Sequence, residues 1–344
     1  MAVTQSSMEQ SHDDSLAPLA ETKPLKMLSG TLVSTDLDRA RHFYEEAFGF
    51  ECVRHGDDHL LIRDRYAKAA MDNGSDDFIV LDVRQVSEIV TPHRMCNHWG
   101  FDVDSSDEVD RIYEAFKERQ EELGLIKIMP ITKAHGAHGA HGFYSIDADQ
   151  NWWEVQYVVH GYDNAGIFSR GDSMDRAITP GGTLTSKAKR VKPKSAPDCI
   201  LGDGDLTHGT MKAIEIERER GLLRDVLGLN TVQYIPQAIL FAGNSDATGV
   251  ANFAVVSLGI PVPNSVPMHS DVRWVLNVAD VADLRAIRDR ALASGAQYGE
   301  ITVGEIQESS SEASCLIGDA EGNWFELTTN GDKEYQSIFN GSSV

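Results

Sequence analysis

A nine-residue stretch occurs twice in this chain, as DADQNWWEV at 147–155 and as DAEGNWFEL at 319–327, so that Glu154 and Glu326 stand in matching places 172 residues apart. A second pair agrees with it: TDLDRARHFYEEAFGF at 35–50 parallels IEIERERGLLRDVLGL at 214–229, with Gly49 and Gly228 matched at an offset of 179. Two such pairs mark a duplication, and a repeat must be settled before any other fold argument. Each half is about 130 residues, an ordinary domain size. Whatever the chain folds into must therefore be built twice.

A shorter unit recurs inside each half. In the first, strand-like KMLSGTLVS leads to a helix whose Leu37, Ala40, Phe43, Tyr44, Ala47 and Phe48 fall at helical spacing. Thr35 with Asp38 reads as a capping box, and Gly49 ends the helix. FECVRH, HLLIR and DFIVLDV then read as three strands. The unit restarts at NHWGFDVD, followed by a helix capped by Ser105 with Glu108 three residues on, and with an apolar face of Val109, Ile112, Tyr113 and Phe116. The turn Asp147 to Asn151 predicts antiparallel pairing of Phe143–Ile146 with Trp152–Val158. The pattern is strand, helix, three strands, twice per half. It defines an α+β chain of four βαβββ modules.

Glu154 falls within the last of these strands, between Trp152, Trp153, Val155 and Tyr157. A carboxylate there is costly unless a cation or a set of donors meets it. The competing reading is a solvated glutamate on an edge strand; the repeat at Glu326 weighs against it.

The 41% hydrophobic content suffices for two cores, and a net charge of −22 excludes a general affinity for nucleic acid or an anionic membrane. The basic residues Lys187, Lys189, Arg190, Lys192 and Lys194 lie in a Gly/Ser/Pro-containing connector and read as a solvated linker. Cys52, Cys96, Cys199 and Cys315 have no paired spacing, as expected of reduced thiols in a cytoplasmic protein. No apolar run approaches the about 20 residues of a membrane span. The expected boundaries are a mobile tail at 1–26, a first domain at 27–160, a linker at 161–206, a second domain at 207–332 and a C-terminal tail at 333–344.

The sequence D-L-x-R-A-x-x-F-Y-x-x-x-x-G after a strand, with a closing D-x-x-x-N-W-x-E strand, resembles the vicinal oxygen chelate superfamily. That family includes glyoxalase I, the fosfomycin and bleomycin resistance proteins and the extradiol ring-cleaving dioxygenases. The resemblance covers 27–160 and 207–330. It implies two tandem domains of cupped mixed sheets, with metal ligands on the first and last strands of a module. The family's first-strand ligand precedes the helix-ending glycine by 20 residues, which gives His208 before Gly228 but Ser29 before Gly49. NHWGFDVD matches the family's G-H-I-A-F-x-V-D and gives His98, whereas RWVLNVAD gives Arg273. The resemblance thus implies a metal set of His98, His208 and Glu154, a 2-His-1-carboxylate arrangement suited to non-haem Fe(II). Ser29, Arg273 and Glu326 are left over, and there an Arg can pair with a Glu without metal. Since neither half alone holds two histidines and a glutamate, cups built across the halves are expected. The alternative is a site within the first half completed by His55, His59 or His93.

The extradiol pattern is followed by His135, Phe143, Tyr144, Asp147 and Glu154, with departures at Ala148 for Pro, Gln150 for Gly and Lys133 before the histidine. The resemblance makes Tyr144 a hydrogen-bonding partner of a reacting oxygen. It makes His135, His138 or His141 an acid or base, so Tyr144, His135 and His141 are the catalytic candidates. The plainer reading of AHGAHGAHG is a flexible Gly/His loop. The implied activity is a ring-cleaving dioxygenase acting with Fe(II), alternatively Mn(II), on a small aromatic diol of the catechol or hydroquinone class with O2. No nucleic-acid or membrane partner is expected, and a homo-oligomer is compatible with this reading. A glyoxalase-like isomerase or lyase is the second reading, but it wants a fourth ligand from the last strand of the third module, where only Ala254, Val255 and Val256 stand. A non-enzymic binder of the bleomycin-resistance kind is the third.

Overall fold

Each repeated pattern folds as one strand, one helix and a run of further strands. The computed structural model describes residues 21–75, 78–132, 140–158, 168, 171–172, 198–235, 239–243, 254–258 and 267–341. Module one is β1 (Lys26–Ser34), α1 (Leu37–Phe43, running on as a π turn Tyr44–Phe48), β2 (Glu51–His55), β3 (His59–Arg63) and β4 (Val80–Gln85). A short helix, α2 (Arg65–Asp72), lies between β3 and β4; the sequence reading missed it because only Ala67 and Met71 anchor it. Module two is β5 (His98–Asp102), α3 (Ser106–Glu118), β6 (Lys127–Ile128), β7 (Ala140–Ile146) and β8 (Trp152–Val158). Module three is β9 (Asp205–Lys212), α4 (Ile216–Gly221, with a π turn Leu222–Val226), β10 (Asn230–Ile235), β11 (Ile239–Gly243) and β12 (Ala254–Leu258). Module four is β13 (Trp274–Asn277), α5 (Val281–Ser294), β14 (Thr302–Val303), β15 (Gln307–Glu308), β16 (Ala313–Gly318) and β17 (Trp324–Thr328).

The strands form two mixed sheets, and each draws on both halves. One runs β14-β16-β17-β13-β1-β4-β3-β2, with β15 on β16, and so joins modules four and one. The other runs β10-β11-β12-β9-β5-β8-β7-β6 and joins modules three and two. The seams are the antiparallel pairs β1·β13 and β5·β9. Trp99 and Trp274, from the two seams, pack with ring centroids 4.9 Å apart. Helices cover the outer faces. Phe48 at the end of α1 stacks on Phe101 of β5 at 4.5 Å, while Val109, Ile112 and Phe116 of α3 are buried. Burial of this aromatic face, at about 25 cal/mol per Å² of apolar surface, holds the helices to the sheets.

The repeated DAxxN segment has a structural task. Asp147 Oδ1 accepts the N–H groups of Asp149 and Asn151, and Oδ2 accepts from Trp153 Nε1. Asp319 likewise accepts from Glu321 and Asn323. Asn151 then donates to Val33 O and Asn323 to Lys212 O, so each turn is tied to the end of the first strand of its own half. Two cap expectations divide. Ser105 caps α3 by accepting from Glu108 N, as expected. At α1 the cap is Asp36, because the Thr35 hydroxyl is drawn away to Asp149.

The C-terminal segment is not a tail. Asp332–Gly341 forms a helix, α6, whose Phe339, Ile338 and Tyr335 pack with Val53, Leu61 and Val80 of the first module's strands and Ala67 and Met71 of α2. All four cysteines are unpaired. Among the described residues, no helix is long and apolar enough to cross a membrane.

Candidate metal centre

The register of three neighbouring strands creates one point of convergence. Gly100 of β5 lies opposite Glu154 on the parallel strand β8 and opposite His208 on the antiparallel strand β9. His98 precedes Gly100 by two residues and so shares its face. The result is a triangle: His98 Nε2 and His208 Nε2 each stand 3.2 Å from Glu154 Oε2 and 3.3 Å from one another. All three side chains are buried, at 4%, 7% and 5% exposure for His98, His208 and Glu154. Gly100 is what lets the triangle close, since a Cβ there would meet His208 Cε1 at 2.0 Å.

The outer nitrogens of both rings are already engaged. His98 Nδ1 donates to Met95 O at 2.5 Å, and His208 Nδ1 lies 3.0 Å from the Thr207 hydroxyl. Thr210 Oγ1 accepts from His98 N at 2.8 Å and fixes the strand end behind the ring. These partners leave both Nε2 atoms facing the Glu154 carboxylate, as supporting groups do around a metal. Burial alone would raise the Glu154 carboxyl, but the His98 and His208 charges and hydrogen bonds hold it well below the usual range. Burial works against charge on His208, yet the contact with Glu154 raises it. Three donor atoms turned toward one another in a dry site are unfavourable without a proton or a cation between them. Edges of 3.2 to 3.3 Å suit metal bonds of about 2.1 Å meeting at about 100°. The donor set therefore fits a divalent metal, and it is the one such cluster of His, Cys, Asp and Glu among the described residues.

Tyr144 lies on the same face. It is paired with Glu154 across β7·β8, and its ring stands 5.1 Å from that of His98. Burial first, then the Glu154 charge, raises its phenol well above the usual value.

The role expected of His141 does not survive. It precedes Tyr144 by three residues on β7, an odd spacing that turns it to the opposite face, where Nε2 meets Asp110 Oδ1 of α3 at 2.8 Å. His135 and His138 lie outside the described residues. The histidines considered for a site within the first half are elsewhere. His59 bonds Asp82 at 2.8 Å in the other sheet, across from His55, and His93 is buried, which pushes it down to about 4. In that other sheet Arg273 Nε pairs with Glu326 Oε2 at 2.6 Å, as the residue types at those positions imply. The sequence reading missed Gly100 and the supporting Met95, Thr207 and Thr210. Gly100 had a signal, a glycine two residues beyond a candidate ligand on a strand; the others had none.

Residues 26–155 match the Glyoxalase/Bleomycin resistance protein/Dioxygenase superfamily. No curated protein is similar in sequence. Glyoxalase I from Zea mays shares the fold with a TM-score of 0.54 at 12% identity, over 92% of this chain and 94% of that one. A candidate dioxygenase from Bacillus subtilis subsp. subtilis str. 168 does so with a TM-score of 0.51 at 12% identity, over 89% and 86%. By sequence the match is confined to the first half, and the chain as a whole shares the fold of these two structures.

Proposed function

We propose that this chain is an Fe(II)-dependent dioxygenase that opens the ring of a small aromatic diol, a catechol or a hydroquinone, with O2. One observation carries the reading: His98, Glu154 and His208 converge from two halves with the Tyr144 phenol beside them. Three protein donors on one face leave the remaining positions of a six-coordinate ion open, enough for a diol and O2 together. Fe(II) held there would supply redox chemistry and the Lewis acidity that favours a diol oxyanion. The protein's own part is orientation and proton control. The Tyr144 hydroxyl, on the ligands' face and beside His98, is placed to hydrogen-bond a reacting oxygen. Trp152, 6.1 Å from the Tyr144 ring, adds a flat apolar surface next to it. Both atoms of O2 enter the product and the ring supplies the electrons, so no external reductant is required.

A glyoxalase-like isomerase is less well supported, since the strand beside His208, Ala254–Leu258 (AVVSL), offers no fourth ligand. The test is oxygen consumption by protein purified without O2 and loaded with Fe(II). The expected result is one O2 consumed per catechol or hydroquinone turned over. Turnover of a hemithioacetal with Mn, Ni or Zn, and no O2 uptake with either diol class, would transfer the chain to the isomerase reading.

A further inference from the structure

In the second cup the positions that match the metal donors hold Ser29, Arg273 and Glu326, on neighbouring strands or at their ends. Ser29, the counterpart of His208, is fully buried, and Arg273 fills the cation's role toward Glu326 at 2.6 Å. Into this cup comes α6. Phe339 is 3% exposed, with the Arg63 guanidinium 4.2 Å from its ring centre, and Ile338 packs on the same apolar floor of Val53, Leu61 and Val80. One turn earlier, Tyr335 reaches the ligand position itself: its hydroxyl lies 3.1 Å from Ser29 Oγ. Burial is the main influence on the phenol and raises it above its usual value, so it stands as a donor to Ser29 Oγ.

We propose that the second cup is a metal-free pocket for a para-substituted phenol, and that its resident occupant is the chain's own Tyr335. The pocket reads two features. A hydroxyl at the depth of Ser29 is met by the Ser29 Oγ atom as hydrogen-bond acceptor. The opposite end of the ring continues into an apolar trough, which α6 fills with Ile338 and Phe339. A ring without the hydroxyl would leave Ser29 Oγ without this donor, and an unmet buried polar group is penalised more than a met one is rewarded.

The test uses the full-length, metal-free protein, so it is independent of the chemistry proposed for the first cup. Tyr335→Ala vacates the ring's volume, and p-cresol and toluene are compared by calorimetry, with a crystal structure of the cresol complex. We expect p-cresol to bind in the second cup about 10-fold or more tighter than toluene, as one buried hydrogen bond allows. Adding Ser29→Ala to that variant should remove most of the preference. If Tyr335→Ala does not fold alone, recovery of native circular dichroism with p-cresol but not with toluene is the same expectation. Tyr335→Phe, which keeps the ring in place, should fold and exclude both compounds. Equal binding of the two, no binding or rescue by either, or cresol seated elsewhere in the crystal would overturn the assignment.

Discussion

Replacing Gly100 by alanine should cost the first cup its metal with little damage to the fold. The added Cβ would lie 2.0 Å from Cε1 and 2.1 Å from Nε2 of His208. Carbon atoms rest at about 3.5 Å or more, so the ring must retreat by about 1.5 Å or β5 and β9 must part by a similar amount. Metal sites tolerate about 0.2 Å of error in a ligand distance, and Nε2 would be well outside that. Loss of a mere supporting group costs about 10- to 100-fold in affinity; loss of one of three donors should cost at least about 100-fold. The outward neighbours Trp99 and Phe101 keep their packing, so the strain should stay within the about 1 to 3 kcal/mol of an overpacked site. Chelator competition for bound Fe(II) measures the affinity, and a thermal melt on the same sample measures the fold. His208→Ala should weaken binding equally, and the double variant should be no worse, because the two changes remove one interaction. Wild-type affinity in Gly100→Ala would mean that His208 does not bind the ion where the structure puts it.

Other perturbations separate the parts of the account. Tyr144→Phe keeps the ring but loses its hydroxyl; metal content should hold while single-turnover rates at saturating diol fall by about 10- to 1000-fold, and full rates would remove Tyr144 from the chemistry. Glu326→Gln should leave the metal content at one ion per chain in elemental analysis, because Glu326 is already paired with Arg273. Glu219 and Asp319 form a buried carboxyl pair: burial, then the Asp319 charge, raises Glu219 well above its usual range, and burial lifts Asp319 to about 6. Such carboxyls keep protons in the folded chain that the unfolded chain gives up, so their contribution is complete below about pH 4 and lost as pH rises through about 6. One proton corresponds to at most about 1.4 kcal/mol per pH unit, and Glu219→Gln should gain stability over wild type between pH 4.5 and 7.5 in denaturant titrations. An identical pH slope in the two proteins would refute the shared-proton pair.

The repeat carried most of the fold and singled out Glu154, and the family resemblance added His98 and His208, because both recorded positions and not merely composition. Once the resemblance had assigned His98, His208, Glu154 and Glu326 to modules, their division between the halves argued for cups built across them, and each sheet does draw on both halves. What stayed hidden depends on contacts that one strand cannot announce. Met95 reaches His98 through its backbone carbonyl, which every residue possesses. Strand parity was available for His141, since it differs from Tyr144 by an odd number, but the Gly/His loop masked where the strand begins. The C-terminal helix escaped because its partner surface lies some 280 residues earlier: Phe339 is apolar without a local reason, and the strands of the first module supply one.

The central claim is that one metal is held by residues from both halves. Anomalous diffraction from crystals of the Fe(II)-loaded protein tests it directly. The expected result is a single iron peak bounded by His98 Nε2, His208 Nε2 and a Glu154 oxygen, at about 2.0 to 2.3 Å from each. An iron peak bound within one half, or one beside Ser29 and Glu326 in the second cup, would contradict it.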